Sequence, residues 1–188
     1  DVILIVGIGG SSNSAKGIIS ALTPYFKDDT PEIIFVGDNL SSEYLIDLKE
    51  YILNKDFSIN VISKSGNTME TLLVFEFIKD LMETKYNDEE IRKRIVITTG
   101  SNNGTLNNYA KKYGFKKLYI PEEIGGRYSI FTPVTLFPMA IANLDIKAFL
   151  RGGLKGKSYV EEAFKYATFR NIFFRKNKFV EGLVICEG

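Results

Sequence analysis

Short runs of Val and Ile alternate with segments of helical spacing along the first 120 residues, and this alternation limits the possible folds more than any other feature. The runs lack strict polar–apolar alternation, as expected for strands that are buried on both faces. Strand–helix repetition of this kind predicts a parallel sheet covered by helices on both faces. We therefore predict an α/β fold, a three-layer sandwich around a five-stranded parallel sheet. Its predicted strands are Val2–Val6, Ile33–Val36, Ser58–Ile62, Ile95–Thr98 and Lys117–Ile120.

The helices between these strands are predicted from apolar residues at helical spacing, and the pattern changes after Pro121. The predicted segments are helices at Thr68–Met82, Thr105–Tyr113, Thr132–Asn143 and Ser158–Arg175, a break at Gly152-Gly153 and a last strand at Phe179–Ile185. We accordingly expect a domain over residues 1–150, followed by a C-terminal helical extension with a strand over residues 151–188. Because the chain starts directly at a buried strand and stops abruptly, we expect a fragment of a longer protein.

Charge and composition exclude several classes of function. The 188 residues include 24 Lys and Arg against 23 Asp and Glu, a formal net charge of +1, so no general attraction to nucleic acid or an anionic membrane is expected. No apolar run reaches the roughly 18 residues that indicate a membrane span. The single cysteine, Cys186, cannot form an intrachain disulfide, which favours a reducing compartment. With no histidine, the chain cannot use imidazole for acid–base chemistry or metal binding.

A glycine-rich turn follows the first predicted strand, at Gly7-Ile8-Gly9-Gly10-Ser11-Ser12. Glycines let backbone N–H groups approach a ligand closely, and the start of the following helix favours an anion. The spacing is not that of a dinucleotide-binding loop, because position 12 is Ser, and no Gly-Lys-Ser/Thr follows as in a Walker A loop. A tight strand-to-helix turn with a serine cap is the alternative interpretation.

A second polar turn, Ser63-Lys64-Ser65-Gly66-Asn67-Thr68, follows the third predicted strand. A phosphate seated here would accept hydrogen bonds from hydroxyls and from free helix N–H groups without an arginine. No Asp stands nearby to hold Mg²⁺, which favours a phosphomonoester over a nucleoside triphosphate. Asn67 and Glu70 also have the spacing of a capping box. The alternative is a helix cap that happens to be rich in Ser and Thr.

A third candidate segment is Gly125-Gly126-Arg127-Tyr128-Ser129, in which an arginine follows a glycine pair. Such an arginine can direct its guanidinium at an anionic oxygen with little steric obstruction. A surface arginine at a turn is the alternative. The two earlier turns lie at the carboxyl ends of their strands, the edge at which open α/β sheets bind ligands.

Read together, these segments resemble the glucose-6-phosphate isomerase family, and specifically the first of its two sugar isomerase (SIS) domains in the bacterial form. The matching pieces are Val6-Gly7-Ile8-Gly9-Gly10-Ser11, Phe35-Val36-Gly37-Asp38-Asn39, Ser63-Lys64-Ser65-Gly66-Asn67-Thr68-Met69-Glu70-Thr71 and Gly125-Gly126-Arg127-Tyr128-Ser129. The resemblance implies a flavodoxin-like SIS fold, a cytoplasmic protein, and a homodimer in the full-length form. It also implies a sugar phosphate as ligand, with no metal and no organic cofactor.

Carried over residue by residue, the resemblance implies roles for seven positions. Ser63, Ser65 and Thr68, with the Lys64 backbone, would hold the sugar phosphate. Gly10 and Ser11 would line the sugar, and Arg127 would stabilise negative charge on a cis-enediol(ate). The family interconverts glucose 6-phosphate and fructose 6-phosphate by proton transfer between C1 and C2. Its catalytic Glu and its ring-opening His have no counterpart in this sequence, so we expect the chain alone to bind sugar phosphate weakly without isomerising it.

Two other functions remain as alternatives. One is a non-catalytic SIS module that senses sugar phosphates within a regulator, although no DNA-reading helix or basic patch accompanies it. The other is a different SIS isomerase or a transferase subunit.

Overall fold

Five parallel strands form one sheet in the computed structural model, which describes residues 1–24, 31–100 and 103–184. The strands are β1 Val2–Val6, β2 Glu32–Val36, β3 Phe57–Ile62, β4 Ile95–Thr99 and β5 Lys116–Tyr119. Their order is β2-β1-β3-β4-β5, and every neighbouring pair is parallel. The predicted α/β three-layer architecture is confirmed, and each predicted strand agrees with the observed one to within a residue at either end.

Eight α-helices lie within the described residues. They are α1 Asn13–Leu22, α2 Ser42–Leu53, α3 Met69–Glu83, α4 Asp88–Arg94, α5 Thr105–Tyr113, α6 Pro133–Ile141, α7 Ile146–Lys155 and α8 Val160–Arg175. Short 3₁₀ turns lie at Gly9–Ser11, Gly126–Phe131 and Gly156–Tyr159. The first two of these turns include glycines of the pairs that the sequence singled out.

The two faces of the sheet are covered by different helices. The larger core takes side chains from α2, α3, α4 and α5, including the fully buried Phe75 and Ile78 of α3. The smaller core lies on the other face, where Ile5 and Ile62 of the sheet meet Val134 of α6. A pair of hydroxyls, Ser14 and Thr135, joins α1 to α6 on this face at 2.8 Å.

The order of the strands places a crevice between the loops after β1 and β3. After β1 the chain continues into α1 on one face of the sheet, and after β3 it continues into α3 on the other face. These neighbouring loops therefore diverge, and a crevice opens at the carboxyl edge of the sheet. Ligands of open α/β sheets bind at such a switch point.

The chain divides into two compact units, Asp1–Ile146 and Lys147–Gly188. The sheet and the crevice belong to the first unit. In the second, the segment after α8 folds back along that helix, where Arg170 pairs with Glu181 at 2.7 Å and Phe174 meets Phe179 edge to face. The predicted C-terminal helix is thus present.

Three local predictions are wrong. The chain passes through Gly152-Gly153 within α7, because two glycines lower helix propensity without forbidding the conformation. Residues 179–184 of the predicted last strand form no regular structure and have no neighbouring strand to pair with among the described residues, while Ile185 and Cys186 lie outside them. The predicted capping box at Asn67 and Glu70 does not form, since Asn67 bonds elsewhere.

No helix within the described ranges has both the length and the apolar character that crossing a membrane requires.

Candidate functional site

A cleft of about 660 Å³ opens at the carboxyl edge of the sheet, at the switch point between β1 and β3. Its walls come from the loops after β1, β3, β4 and β5. The residues that line it are Ile8, Gly10, Ser11, Lys64, Ser65, Thr68, Gly100, Glu122, Gly126 and Arg127. All three segments that the sequence singled out therefore meet in one place, although they are far apart along the chain.

The first wall is the hydroxyl turn, which we define as residues 63–68. Ser63 Oγ lies at its centre, 2.8 Å from Thr68 Oγ1 and 3.5 Å from Ser65 Oγ, and it accepts a hydrogen bond from Gly66 N at 3.2 Å. Ser63 is 1% exposed, whereas Ser65 is exposed and Thr68 is partly exposed. A buried hydroxyl therefore orients two accessible ones towards the cleft.

The hydroxyl turn also presents the start of α3. Thr68 is the residue before the first helical position, yet its side chain makes no capping hydrogen bond to the helix. The first backbone N–H groups of a helix have no partner within the helix, and they carry a partial positive charge. An anion beside Thr68 could therefore accept hydrogen bonds from both the hydroxyls and the helix start.

Asn67 fastens the hydroxyl turn to α5. Its Oδ1 accepts hydrogen bonds from Thr105 N at 2.9 Å and from Thr105 Oγ1 at 3.0 Å. Asn67 therefore caps a helix 38 residues away rather than its own, which explains why the predicted capping box is absent. The turn is in addition tied to β4, because Ser63 N donates to Thr98 O at 3.1 Å.

The second wall is the arginine loop, which we define as residues 122–127. Arg127 lies exposed on it and lines the cleft. Within the described part of the chain, no carboxylate forms an ion pair with the Arg127 guanidinium, so its charge is available to an anion. Behind it, Ser129 Oγ donates to Gly126 O at 2.7 Å and stabilises the start of the 3₁₀ turn.

A glycine contact lets the arginine loop lie against the loop after β1. A Cβ added to Gly10 would lie 2.5 Å from Gly126 O and 3.1 Å from Arg127 N. Real Cβ atoms do not approach backbone atoms this closely, so any side chain at position 10 must push the arginine loop away. The absence of a side chain at Gly10 therefore allows the arginine loop to lie close to the loop after β1, where Ser11 also lines the cleft.

Lys64 connects the two walls by its side chain. Its Nζ donates to Glu122 O and to Ile124 O, both at 2.7 Å. Its backbone carbonyl accepts from Gly100 N at 3.0 Å, which fixes the other end of the residue to the end of β4. The ammonium is therefore bound by main-chain carbonyls of the arginine loop.

The structure brings the seven predicted site residues into one region. Six of them line the cleft: Gly10, Ser11, Lys64, Ser65, Thr68 and Arg127. The seventh, Ser63, lies beneath the surface and reaches the cleft through the hydroxyls it orients. Sequence reasoning missed Gly100 and Glu122. A glycine directly after a predicted strand was a usable signal for Gly100, whereas Glu122 had no signal of its own.

The donors needed for a metal centre are not gathered at any one point. Within residues 1–24, 31–100 and 103–184, no three Asp, Glu or Cys side chains are grouped so that they could hold a metal ion. The chemistry that the cleft offers is hydrogen bonding from hydroxyls and amides, opposite a guanidinium.

Comparison with known proteins places these features in a family. The phosphoglucose isomerase family profile matches residues 1–173. This chain belongs to that family. The resemblance inferred from the motifs is thereby confirmed.

The curated relatives carry the same family name over a longer sequence. Glucose-6-phosphate isomerases of Staphylococcus saprophyticus and Bacillus anthracis are each 42% identical to this chain, over 193 and 198 aligned residues. Each alignment covers 98% of this chain and 44% of the relative. The chain therefore spans less than half the length of these relatives.

Two solved structures support the fold. A hypothetical protein from Thermus thermophilus superposes with a TM-score of 0.75 at 30% identity, over 84% of this chain and 36% of that one. A glucose-6-phosphate isomerase from Chlamydia trachomatis superposes with a TM-score of 0.63 at 21% identity, over 79% of this chain and 27% of that one. The second likeness concerns the fold alone.

Proposed function

We propose that the cleft binds the phosphate group of a sugar phosphate, and that the chain is the phosphate-binding part of a glucose-6-phosphate isomerase. The whole enzyme would interconvert glucose 6-phosphate and fructose 6-phosphate. One observation carries the proposal: the hydroxyls of Ser65 and Thr68 lie in the same cleft as Arg127, whose guanidinium has no carboxylate partner in the described ranges. The family match and the names of the relatives support the same reaction.

The hydroxyl turn suits a phosphate monoester. Ser65 and Thr68 hydroxyls can donate to phosphate oxygens, while Ser63 stays behind them and holds their orientation. The start of α3 adds backbone donors and a favourable dipole. None of these groups needs a metal ion to bind a dianion, and we propose that the site works without a metal or an organic cofactor.

Arg127 suits the charge that the reaction creates. Removing a proton next to a carbonyl places negative charge on oxygen in a cis-enediol(ate). A fixed cation that faces this oxygen stabilises the developing charge and lowers the barrier. With the phosphate held at the hydroxyl turn, the reacting end of the sugar would extend towards the arginine loop, while Gly10 and Ser11 would line the path between them.

Proton transfer is the step for which the chain lacks a suitable group. It contains no histidine for ring opening. Glu122 lines the cleft, but nothing in its motif marks it as the base. We therefore propose that this chain binds sugar phosphate and does not isomerise it. Turnover of fructose 6-phosphate by the pure 188-residue chain would contradict this, and the activity of a Glu122→Gln variant would then show whether Glu122 is the base.

A nuclear magnetic resonance titration tests the binding proposal directly. We expect 6-phosphogluconate to shift the backbone amide signals of Ser65, Thr68 and Met69, and gluconate at the same concentration to leave them unchanged. Inorganic phosphate should shift the same signals. If gluconate acts as strongly as 6-phosphogluconate, or if the shifts fall outside the cleft, the phosphate seat is assigned wrongly.

Three further expectations belong to the same proposal. The family match over residues 1–173 favours an isomerase over a non-catalytic SIS sensor of sugar phosphates. We also propose that the full-length protein is a homodimer and that it acts in the cytoplasm. Gel filtration and cell fractionation of the full-length protein test these two points.

A further inference from the structure

The side chain of Lys64 is occupied by protein atoms, although it lines the cleft. Its Nζ lies 2.7 Å from Glu122 O and 2.7 Å from Ile124 O. Hydrogen bonds from an ammonium to two carbonyls are stronger than neutral ones. Both acceptors are main-chain atoms of the arginine loop, 58 and 60 residues further along the chain.

The stem of Lys64 is also held in place. A Cβ added to Gly100 would lie 3.3 Å from Lys64 Cγ and 2.7 Å from Ile120 O. Gly100 therefore leaves the space through which the stem passes over the end of β4. Because Gly100 N also binds the Lys64 carbonyl, the residue is anchored at its backbone as well as at its ammonium.

The arginine loop has few other attachments. Glu122, Gly125, Gly126 and Arg127 are all exposed, so little packing holds this segment. Its hydrogen bonds to sequence neighbours are local: Ile124 N donates to Pro121 O at 3.2 Å, Tyr128 N to Gly125 O at 2.8 Å, and Ser129 Oγ to Gly126 O at 2.7 Å. The Gly10 contact allows the loop to approach closely, but it defines space rather than a specific attachment. The Lys64 ammonium does supply an attraction.

We propose that Lys64 is a positioning residue, whose ammonium holds the carbonyls of Glu122 and Ile124 and thereby directs Arg127 into the cleft. Its Nζ binds the arginine loop rather than the phosphate. The effect on ligand binding rests on the proposed function, whereas the effect on the loop does not. Hydrogen exchange of the free protein and a double-mutant cycle test these two parts separately.

Hydrogen exchange in the absence of ligand tests whether Lys64 holds the arginine loop. In a Lys64→Met variant, the amides of Ile124 and Tyr128 should exchange about tenfold faster. A tenfold change corresponds to about 1.4 kcal/mol, close to the net contribution of one hydrogen bond to a charged group. Lys64→Arg should retain part of the protection, because a guanidinium can still donate to carbonyls. Lys16→Met is the matched control, since Lys16 is an exposed lysine that does not line the cleft. Unchanged exchange in Lys64→Met would overturn the proposal, and exchange at the core amide of Val61 would reveal global unfolding.

A double-mutant cycle with Arg127 tests the path of action. We expect Lys64→Met to weaken 6-phosphogluconate binding about tenfold when Arg127 is present and less than about twofold in an Arg127→Met background. An equal loss in both backgrounds would mean that Lys64 contacts the anion itself, and it would overturn the proposal. If the unmodified chain does not bind 6-phosphogluconate at all, the proposed function fails, while the exchange experiment still decides whether Lys64 holds the loop.

Discussion

The two walls of the cleft are built in different ways. The hydroxyl turn is tied to β4 by backbone hydrogen bonds and to α5 by Asn67, so its shape follows from the sheet. The arginine loop is exposed, and it depends on a lysine from the other wall and on a glycine contact. The difference indicates that one wall is preformed, while the position of the other can be changed by single substitutions.

The largest effect is expected from Gly10→Ala, which disrupts the contact between the arginine loop and the loop after β1. Its new Cβ would meet Gly126 O at 2.5 Å, so the arginine loop must move. We expect a loss of about 1–3 kcal/mol in the free energy of unfolding, and at least about tenfold weaker 6-phosphogluconate binding. Urea unfolding and calorimetric titration measure the two quantities.

Gly17→Ala is the matched control for that substitution. Gly17 lies within α1, and a Cβ there would meet no atom within 4 Å. The variant should gain roughly 0.5–1 kcal/mol of stability, because alanine favours the helix. Its affinity for 6-phosphogluconate should be unchanged. A Gly10→Ala protein that behaves like this control would show that the position of the arginine loop does not depend on the Gly10 contact.

The next effect is expected from Arg127→Met, which removes the charge of one wall and leaves the other intact. Loss of a charge-assisted interaction should weaken 6-phosphogluconate binding about 10- to 100-fold. Because Arg127 is exposed, the free energy of unfolding should change by no more than about 0.5 kcal/mol. Calorimetric titration beside Lys16→Met checks this, and equal affinities for the two variants would remove Arg127 from the site.

A smaller effect is expected from Thr68→Val, which keeps the shape of the hydroxyl turn and removes one donor. We expect about three- to tenfold weaker binding, the value of a neutral hydrogen bond, and a loss of about 1 kcal/mol in stability because Ser63 loses the nearer of its two hydroxyl partners. Thr105→Val removes a comparable hydroxyl that bonds Asn67 outside the cleft. That control should lose similar stability and keep its affinity; a similar loss of affinity in both variants would contradict a direct role for Thr68.

The sequence predicts the strands and the polar turns of the cleft, but not the side-chain contacts that position its walls. The strands were predictable because buried parallel strands are continuous apolar runs, and the polar turns directly after them marked the edge of the sheet. The side-chain partners were not predictable. Asn67 has capping-box spacing but accepts a hydrogen bond from Thr105, and Lys64 donates to carbonyls about 60 residues away. Both contacts form only once the sheet has brought these segments together.

The same limit applies to the helix boundaries. A true capping box, between Asn87 and Glu90, opens α4 in a charged segment that carries no strong apolar pattern. Gly152-Gly153 is the opposite case, since two glycines suggested a break where α7 continues. At Gly152-Gly153, the weak local preference of glycine against a helix is overruled by the rest of the fold.

The smallest effect is expected far from either wall, at Glu32 on the edge strand β2. A hydrogen bond from Lys55, with a second from Tyr51, lowers the pKa of Glu32 below its ordinary value of 4.5. A carboxylate with a lowered pKa stabilises the fold at pH values above its unfolded pKa, and this contribution is lost as the pH falls through its folded pKa.

The corresponding variant is Glu32→Gln, measured by urea unfolding across pH. Its stability deficit against the unmodified chain should be present at neutral pH and should disappear in acid. Affinity for 6-phosphogluconate at neutral pH should remain the same, because the group is remote from the cleft. A deficit that persists unchanged below the folded pKa would contradict the role assigned to the Lys55 hydrogen bond.

The most direct test of the proposed phosphate-binding site is a crystal structure of this chain soaked with 6-phosphogluconate. We predict phosphate density against the Ser65 and Thr68 hydroxyls and the first amides of α3, with the sugar acid extending towards Arg127. Phosphate density elsewhere on the molecule, or an empty cleft at saturating ligand, would contradict the account.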